Sequence, residues 1–172
     1  MNLTKFNLFV IVSLQCSLLT FCQEAPCTTE VHNLIRPFAG TWQEFEVTDD
    51  GEEFIGTLRS FRDTKNCALS QTFVSVDSSF SYRTLGYVEP GANVWVETYV
   101  FSTGSTAFYH WIVDDGDIVQ RRVGGSRQIG HMHQLRFVNV TEDSYTVIQE
   151  ESLDGGLTWE QTERTNIRKV SD

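Results

Sequence analysis

From Gly40 to Val170 apolar and polar side chains alternate with a period of two, and turn residues interrupt the alternation at roughly 10–13-residue intervals. No 11-residue window in this region carries helical periodicity. The pattern predicts ten strands: Thr41–Val47, Glu52–Arg62, Ala68–Val76, Phe80–Val88, Val94–Phe101, Thr106–Val113, Ile118–Val123, His131–Val140, Ser144–Ser152 and Leu157–Val170. The connectors are short. Thr48-Asp49-Asp50-Gly51 and Asp114-Asp115-Gly116-Asp117 carry the Asp-Gly pair that accepts the positive φ of a primed hairpin turn. Glu89-Pro90-Gly91-Ala92-Asn93 holds both turn-forming residue types, and the longest loop is the glycine-rich Gly124–Gly130. With no long crossover, parallel βαβ units are excluded and an antiparallel meander remains. Ten strands in a meander curl, and closure removes the exposed edges, so the expected fold is an all-β, up-and-down barrel able to enclose one small ligand.

The segment before the barrel reads differently. Lys5 precedes an apolar run from Phe6 to Phe21 broken only by Ser13, Gln15, Ser17 and Thr20. That is the length and flank of a secretory signal peptide, too short for a membrane span. Residues 1–22 are therefore expected to be removed, leaving Gln23 as the new terminus and no transmembrane segment in the mature chain. The alternative is a lipid anchor on Cys22, although Phe21 stands where a lipobox has a small residue. Export implies secretion or a periplasmic or cell-envelope location. Residues 23–37 form a tail with one amphipathic turn, Val31–Ile35, which Pro37 ends by biasing Arg36 away from the helical region. The barrel domain is expected over 38–172.

Composition adds two constraints. The chain has 172 residues and a net charge of −10; without 1–22 it keeps 12 basic against 23 acidic residues, −11. A polyanion so charged is not a nucleic-acid or anionic-membrane binder, while a cationic ligand is compatible with it. Outside the leader only Cys27 and Cys67 remain, and two cysteines in an exported domain imply one disulfide pinning the tail to the barrel wall. Asn139-Val140-Thr141 is a glycosylation sequon, relevant in a eukaryotic secretory pathway.

Two motifs carry resemblances. Phe38-Ala39-Gly40-Thr41-Trp42 resembles the Gly-x-Trp start of lipocalins and related calycin barrels. That resemblance implies a short helical turn capping the barrel, with Trp42 plugging its closed end under an arginine of the last strand, Arg164 or Arg168. The overall layout is similar to exported lipocalin-like barrels. Heme-binding, nitrobindin-like members of the wider group continue with further glycines, whereas Gln43, Glu44 and Phe45 follow here, so no heme or other cofactor is implied. Ser152-Leu153-Asp154-Gly155-Gly156-Leu157-Thr158-Trp159 resembles the Asp-box, Ser-x-Asp-x-Gly-x-Thr-Trp, of sialidase propellers. One copy, on a chain with strands for about two and a half blades, reads as a stabilised hairpin turn.

The candidate chemistry is dispersed. His131 and His133 fall on one face of a strand and read first as a solvent-facing pair beside the glycine loop, so no metal is expected; the alternative is a metal set with His110 as third ligand. The pair, six residues after Gly125, resembles the start of a cupin motif, but no carboxylate follows within Gln134–Val138. If the Trp42 face points inward, Glu44 and Glu46 point inward too unless a bulge reverses them, and a buried Glu44 needs Arg83 or Arg164 as partner. Candidate ligand-binding residues are Trp42, Glu44, Arg83, Tyr99, His110 and His133. No nucleophile elbow, phosphate loop or dinucleotide fingerprint occurs. The first reading is therefore a carrier of a small, partly apolar ligand. The second is an isomerase or lyase on the same scaffold, with His110 as general base and Arg83 as anion stabiliser. The third is a structural or interaction domain with a filled core.

Overall fold

The computed structural model describes residues 27, 29–89, 91–125 and 131–170. The expected leader 1–22, Cys22 included, and residues 126–130 of the glycine loop lie outside the described residues. A five-residue helix, α1 (Glu30–Leu34), and a 3-10 turn, Arg36–Phe38, lead into ten strands. These are β1 (Gly40–Thr48), β2 (Gly51–Asp63), β3 (Ala68–Ser75), β4 (Ser81–Glu89), β5 (Val94–Phe101), β6 (Thr106–Asp114), β7 (Asp117–Gly125), β8 (Met132–Val138), β9 (Ser144–Ser152) and β10 (Glu160–Lys169). Each strand pairs antiparallel with its sequence neighbours, and β1 pairs with β10, so the meander closes into an up-and-down barrel.

The predicted strands are all present, with two boundary corrections. β10 starts at Glu160 rather than Leu157, because the turn ahead of it is a built structure. Asp154 Oδ1 accepts the amides of Leu157 and Thr158, each at 3.0 Å, and the Ser152 hydroxyl at 2.8 Å, while Oδ2 accepts the Thr158 hydroxyl at 2.7 Å; the Ser152 hydroxyl in turn accepts the Gly156 amide at 2.8 Å. Those bonds hold the Asp154 carboxyl well below its usual range, that to the Thr158 amide contributing most. β8 runs only Met132–Val138, because Asn139 adopts a left-handed φ of 54° that ends the extended run.

The closed end is built by the tail. Phe38 is buried and meets Trp111, Phe137 and Tyr145 edge-on, with centroids 5.0–5.3 Å apart. Trp42 is fully buried beneath them and donates its indole N–H to the Phe38 carbonyl at 3.0 Å, so strand β1 and the 3-10 turn are locked together. The cation over the Trp42 ring is Lys169, 5.4 Å from its centroid, and neither Arg164 nor Arg168 takes that place. Both arginines alternate onto the outer wall; Arg168 pairs there with Glu52 and stacks over Phe45. The Cys27–Cys67 disulfide joins the tail to the turn between β2 and β3 at this same end.

Side-chain alternation sorts the rest. Trp42, Glu44 and Glu46 of β1 face inward. The one irregularity between β1 and β2 places Glu44 opposite Gly56 and Phe45 opposite Phe54, so the extra residue is Ile55 on β2 and β1 is not reversed. Trp95, Glu97, Tyr99 and Phe101 of β5 and Ala107, Tyr109 and Trp111 of β6 also face the interior.

Candidate functional site

Above the Phe38 floor the ten strands enclose a cavity of about 670 Å³. A closed barrel of ten strands is wider than an eight-stranded one, whose interior side chains nearly fill, and the extra width is the cavity. Its middle is ringed by aromatic side chains. Phe73 stacks on Tyr82 at 5.1 Å, Tyr82 meets Tyr99 at 5.4 Å, and Tyr99 meets Tyr109 at 5.0 Å. Toward the far end Phe80 and Phe101 stack at 6.1 Å.

A polar network stands behind the ring. Glu97, 1% exposed, accepts the Trp111 indole N–H at 2.8 Å and the Gln120 amide at 2.7 Å, while the Tyr99 hydroxyl donates to Gln120 at 2.9 Å. Burial raises the Glu97 pKa to about 7, against hydrogen bonds from Thr84 and Trp111 that hold it down. Burial lifts the phenols of Tyr82, Tyr99 and Tyr145 well above their ordinary value, so all stay neutral donors at any working pH.

Two walls of the cavity differ in charge. On β7, β8 and β9 lie Arg122, His133, Gln149 and Glu151. His133 Nδ1 is 3.2 Å from the Tyr109 hydroxyl, and burial lowers the His133 pKa, so it is neutral at physiological pH. His131 Nε2 sits 3.1 Å from Glu151 Oε2, and the Arg122 Nε–H donates to the Gly124 carbonyl at 3.2 Å. On β1 and β10 lie Glu44, Glu46 and Glu163, with Thr165 donating to Glu163 at 3.3 Å. Glu44 is 8% exposed, and burial first, then the neighbouring Glu163 charge, raises its pKa to about 8. It is therefore mainly a neutral acid at pH 7.

No family model matches the chain, and no curated protein matches it in sequence. The site is therefore judged on its geometry.

The barrel brings together Glu44, Tyr99 and His133 of the expected ligand set. It does not include the others. Trp42 lies under the floor and does not line the cavity. Arg83 and His110 alternate onto the outer face, Arg83 opposite Val100 and His110 opposite Val96. A general base and an anion stabiliser on the outer wall cannot share the cavity, which corrects the enzyme assignment of these two residues. The expected partnership of Glu44 with Arg83 or Arg164 fails for the same reason, since both arginines point away from it; burial leaves Glu44 protonated instead of paired. His110 is likewise removed from the three-histidine set, and among the described residues no three or more His, Cys, Asp or Glu side chains converge to hold a metal. Glu97, Gln71, Gln120, Glu163 and Tyr82 were not singled out in the sequence. The signal for Glu97 was legible: it is an acid in the centre of an alternating aromatic face, Trp95-x-Glu97-x-Tyr99-x-Phe101.

Proposed function

We propose that this chain is an exported, lipocalin-like carrier that holds one small, partly apolar molecule inside its barrel. The observation that carries the reading is the cavity of about 670 Å³, large enough for a drug-sized ligand, with an aromatic ring at its waist and a few polar groups above and beside it. A floor sealed by Phe38 and Trp42 gives such a ligand one end to enter from. Export is supported by the apolar 6–21 segment after Lys5 and by the Cys27–Cys67 disulfide, a bond that persists in oxidising compartments. On this reading residues 1–22 are removed as a signal peptide, residues 23–37 become the tail and cap, and residues 38–172 are the carrier domain. The 152–159 turn acts as an Asp-box-like hairpin brace.

Native mass spectrometry of protein purified from its source tests the reading, together with uptake of an apolar, environment-sensitive fluorophore by ligand-stripped protein. A retained small-molecule mass, or fluorophore uptake that quenches the cavity tryptophan emission, is the expected result. A bare mass combined with no fluorophore uptake sinks the carrier reading and favours a purely structural barrel.

A further inference from the structure

We infer that the ligand carried is a primary or secondary amine with an aromatic or aliphatic body, bound as its ammonium ion with the charge on Glu44 and the body in the aromatic ring. The inference rests on the carrier reading above and names the chemical class of its ligand.

The cavity's charge is one-sided. Four of its lining residues are acids, Glu44, Glu46, Glu151 and Glu163, and two are basic types, Arg122 and His133. The wall of β7 to β9 carries both signs, Arg122 and Glu151, with Glu151 3.1 Å from His131 and His133 held by the Tyr109 hydroxyl. The wall of β1 and β10 presents three carboxyls, and no basic side chain from β1, β2 or β10 lines the cavity beside them. Glu163 is engaged by Thr165. Glu44 is more than nine-tenths buried, faces the cavity, and has no hydrogen-bond donor among the described residues. A carboxyl in that position without a donor is a costly arrangement, and an entering N–H group relieves it.

The surroundings suit an ammonium ion. The groups close enough to Glu44 to sense its charge are Glu163 on β10, Tyr82 on β4 and Tyr145 on β9. Two of the three are phenols whose ring faces attract cations, and the third is an acid. An anionic ligand would meet the acids of this wall, while a neutral one would leave Glu44 protonated beside Glu163. An ammonium ion supplies the positive charge that lets both carboxyls ionise side by side. The proton balance is simple: the ligand arrives charged, Glu44 releases its proton to the buffer, and the bound pair is an ammonium–carboxylate. With its pKa near 8, Glu44 holds most of a proton to release at pH 7.

The test uses three ligands of one shape on the full mature chain: 2-phenylethylamine, 2-phenylethanol and 3-phenylpropanoate. Isothermal titration calorimetry at pH 7 is run in two buffers of different ionisation enthalpy, beside the fluorophore uptake already described. The amine is expected to bind about tenfold or more tighter than the alcohol, the step a charged hydrogen bond supplies. Its binding should release close to one proton, and the propanoate should be the weakest of the three. In Glu44→Gln the amine-to-alcohol ratio should fall to about one and proton release should vanish. Glu163→Gln serves if that variant does not fold, and should reduce the ratio in the same direction. Fluorophore uptake with the alcohol or propanoate binding as tightly as the amine overturns the amine class and leaves the carrier reading standing. So does fluorophore uptake with none of the three bound. No uptake of anything overturns both.

Discussion

Replacing Glu44 by Gln tests whether burial governs this carboxyl. The folded-state pKa is about 8, against an ordinary value of 4.5. A carboxyl whose folded pKa is raised contributes fully below the unfolded value, and the contribution is lost as pH rises from there through the folded value. The loss between pH 5 and pH 9 amounts to about 4 kcal/mol, taking 1.36 kcal/mol per unit and the ionisation of both states at each pH. Glu97, with a folded pKa near 7, adds about 2.5 kcal/mol to the loss in the same direction. Against a typical total of about 5–15 kcal/mol, these are large fractions. Gln is nearly isosteric with the protonated acid and does not titrate. Urea unfolding followed by tryptophan fluorescence at pH 5, 7 and 9 therefore separates the terms. The wild-type protein should lose stability from pH 5 to 9, and Glu44→Gln should lose less, the gap between them widening by about 4 kcal/mol toward the alkaline end. His133, whose lowered pKa disfavours the folded state as pH falls through 6.5 and below, is present in both proteins and cancels in the difference. Asp77, held down to about 2 by hydrogen bonds from Ser79 and Ser75, acts only below the window. Parallel curves for the two proteins, or a wild-type protein that gains on the variant above pH 7, would refute the reasoning.

Cys67→Ser opens a loop whose ends are 40 residues apart, and the chain-entropy model puts the cost at about 4 kcal/mol. Thermal unfolding should show a fall of many degrees, and reduction of the wild-type protein should reproduce it; an unchanged melting temperature in both would exclude a stabilising tether. At Gly86 an added Cβ would lie 2.5 Å from Trp95 Nε1, and Trp95 is fully buried, so Gly86→Ala should cost about 1–3 kcal/mol of overpacking in chemical denaturation. A neutral result there would mean that Trp95 has room to move. Glu97→Leu should strip the acceptor from Trp111 and Gln120 and cost about 1–3 kcal/mol for each orphaned donor, read from the same denaturation curves. A stabilised Glu97→Leu would show that the network is dispensable.

The fold was legible because its signals are local. Asp49-Asp50-Gly51 and Asp114-Asp115-Gly116 mark hairpins by backbone chemistry alone, and alternation marks the strands between them. The site was only half legible, because alternation supplies two faces without saying which is inside. On β6 the choice lay between Phe108-His110-Ile112 and Ala107-Tyr109-Trp111, and both faces are apolar enough to be core. The barrel buries the second, since Trp111 reaches the Phe38 floor and Tyr109 reaches the aromatic ring, and His110 goes outside. On β1 the sequence tied Glu44 to the face of Trp42 without saying which face is inside, and the barrel turns that face inward. What could not be read was its partner. Neither Arg83 nor Arg164 reaches it, because strand parity sends both to the outer wall, and parity is decided by pairing across the whole barrel. Lys169 over Trp42 in place of an arginine is the same effect: the register Trp42 to Lys169, set by closure of β1 on β10, selects which cation of the last strand lies at the floor.

Glu44 and Glu97 are both acids in an aromatic interior, yet their surroundings give them different roles. Glu97 is held through one oxygen: an indole and a carboxamide both donate to Oε2, and a tyrosine steadies the carboxamide, while Oε1 is buried without a partner among the described residues. Such an acid ties β5, β6 and β7 together, and it does not line the cavity, so a ligand there does not reach it. Glu44 has been given an acid and two phenols as neighbours and no donor. If its purpose were structural, a leucine would serve better, since an unsatisfied buried carboxyl costs stability that an apolar residue of similar size does not. The cost is balanced only when something else brings the donor. The contrast between an acid held behind the wall and one that faces the cavity without a protein donor is thus the physical ground for placing the ligand's polar group at Glu44, and for expecting the empty barrel to be the less stable of its two states at alkaline pH.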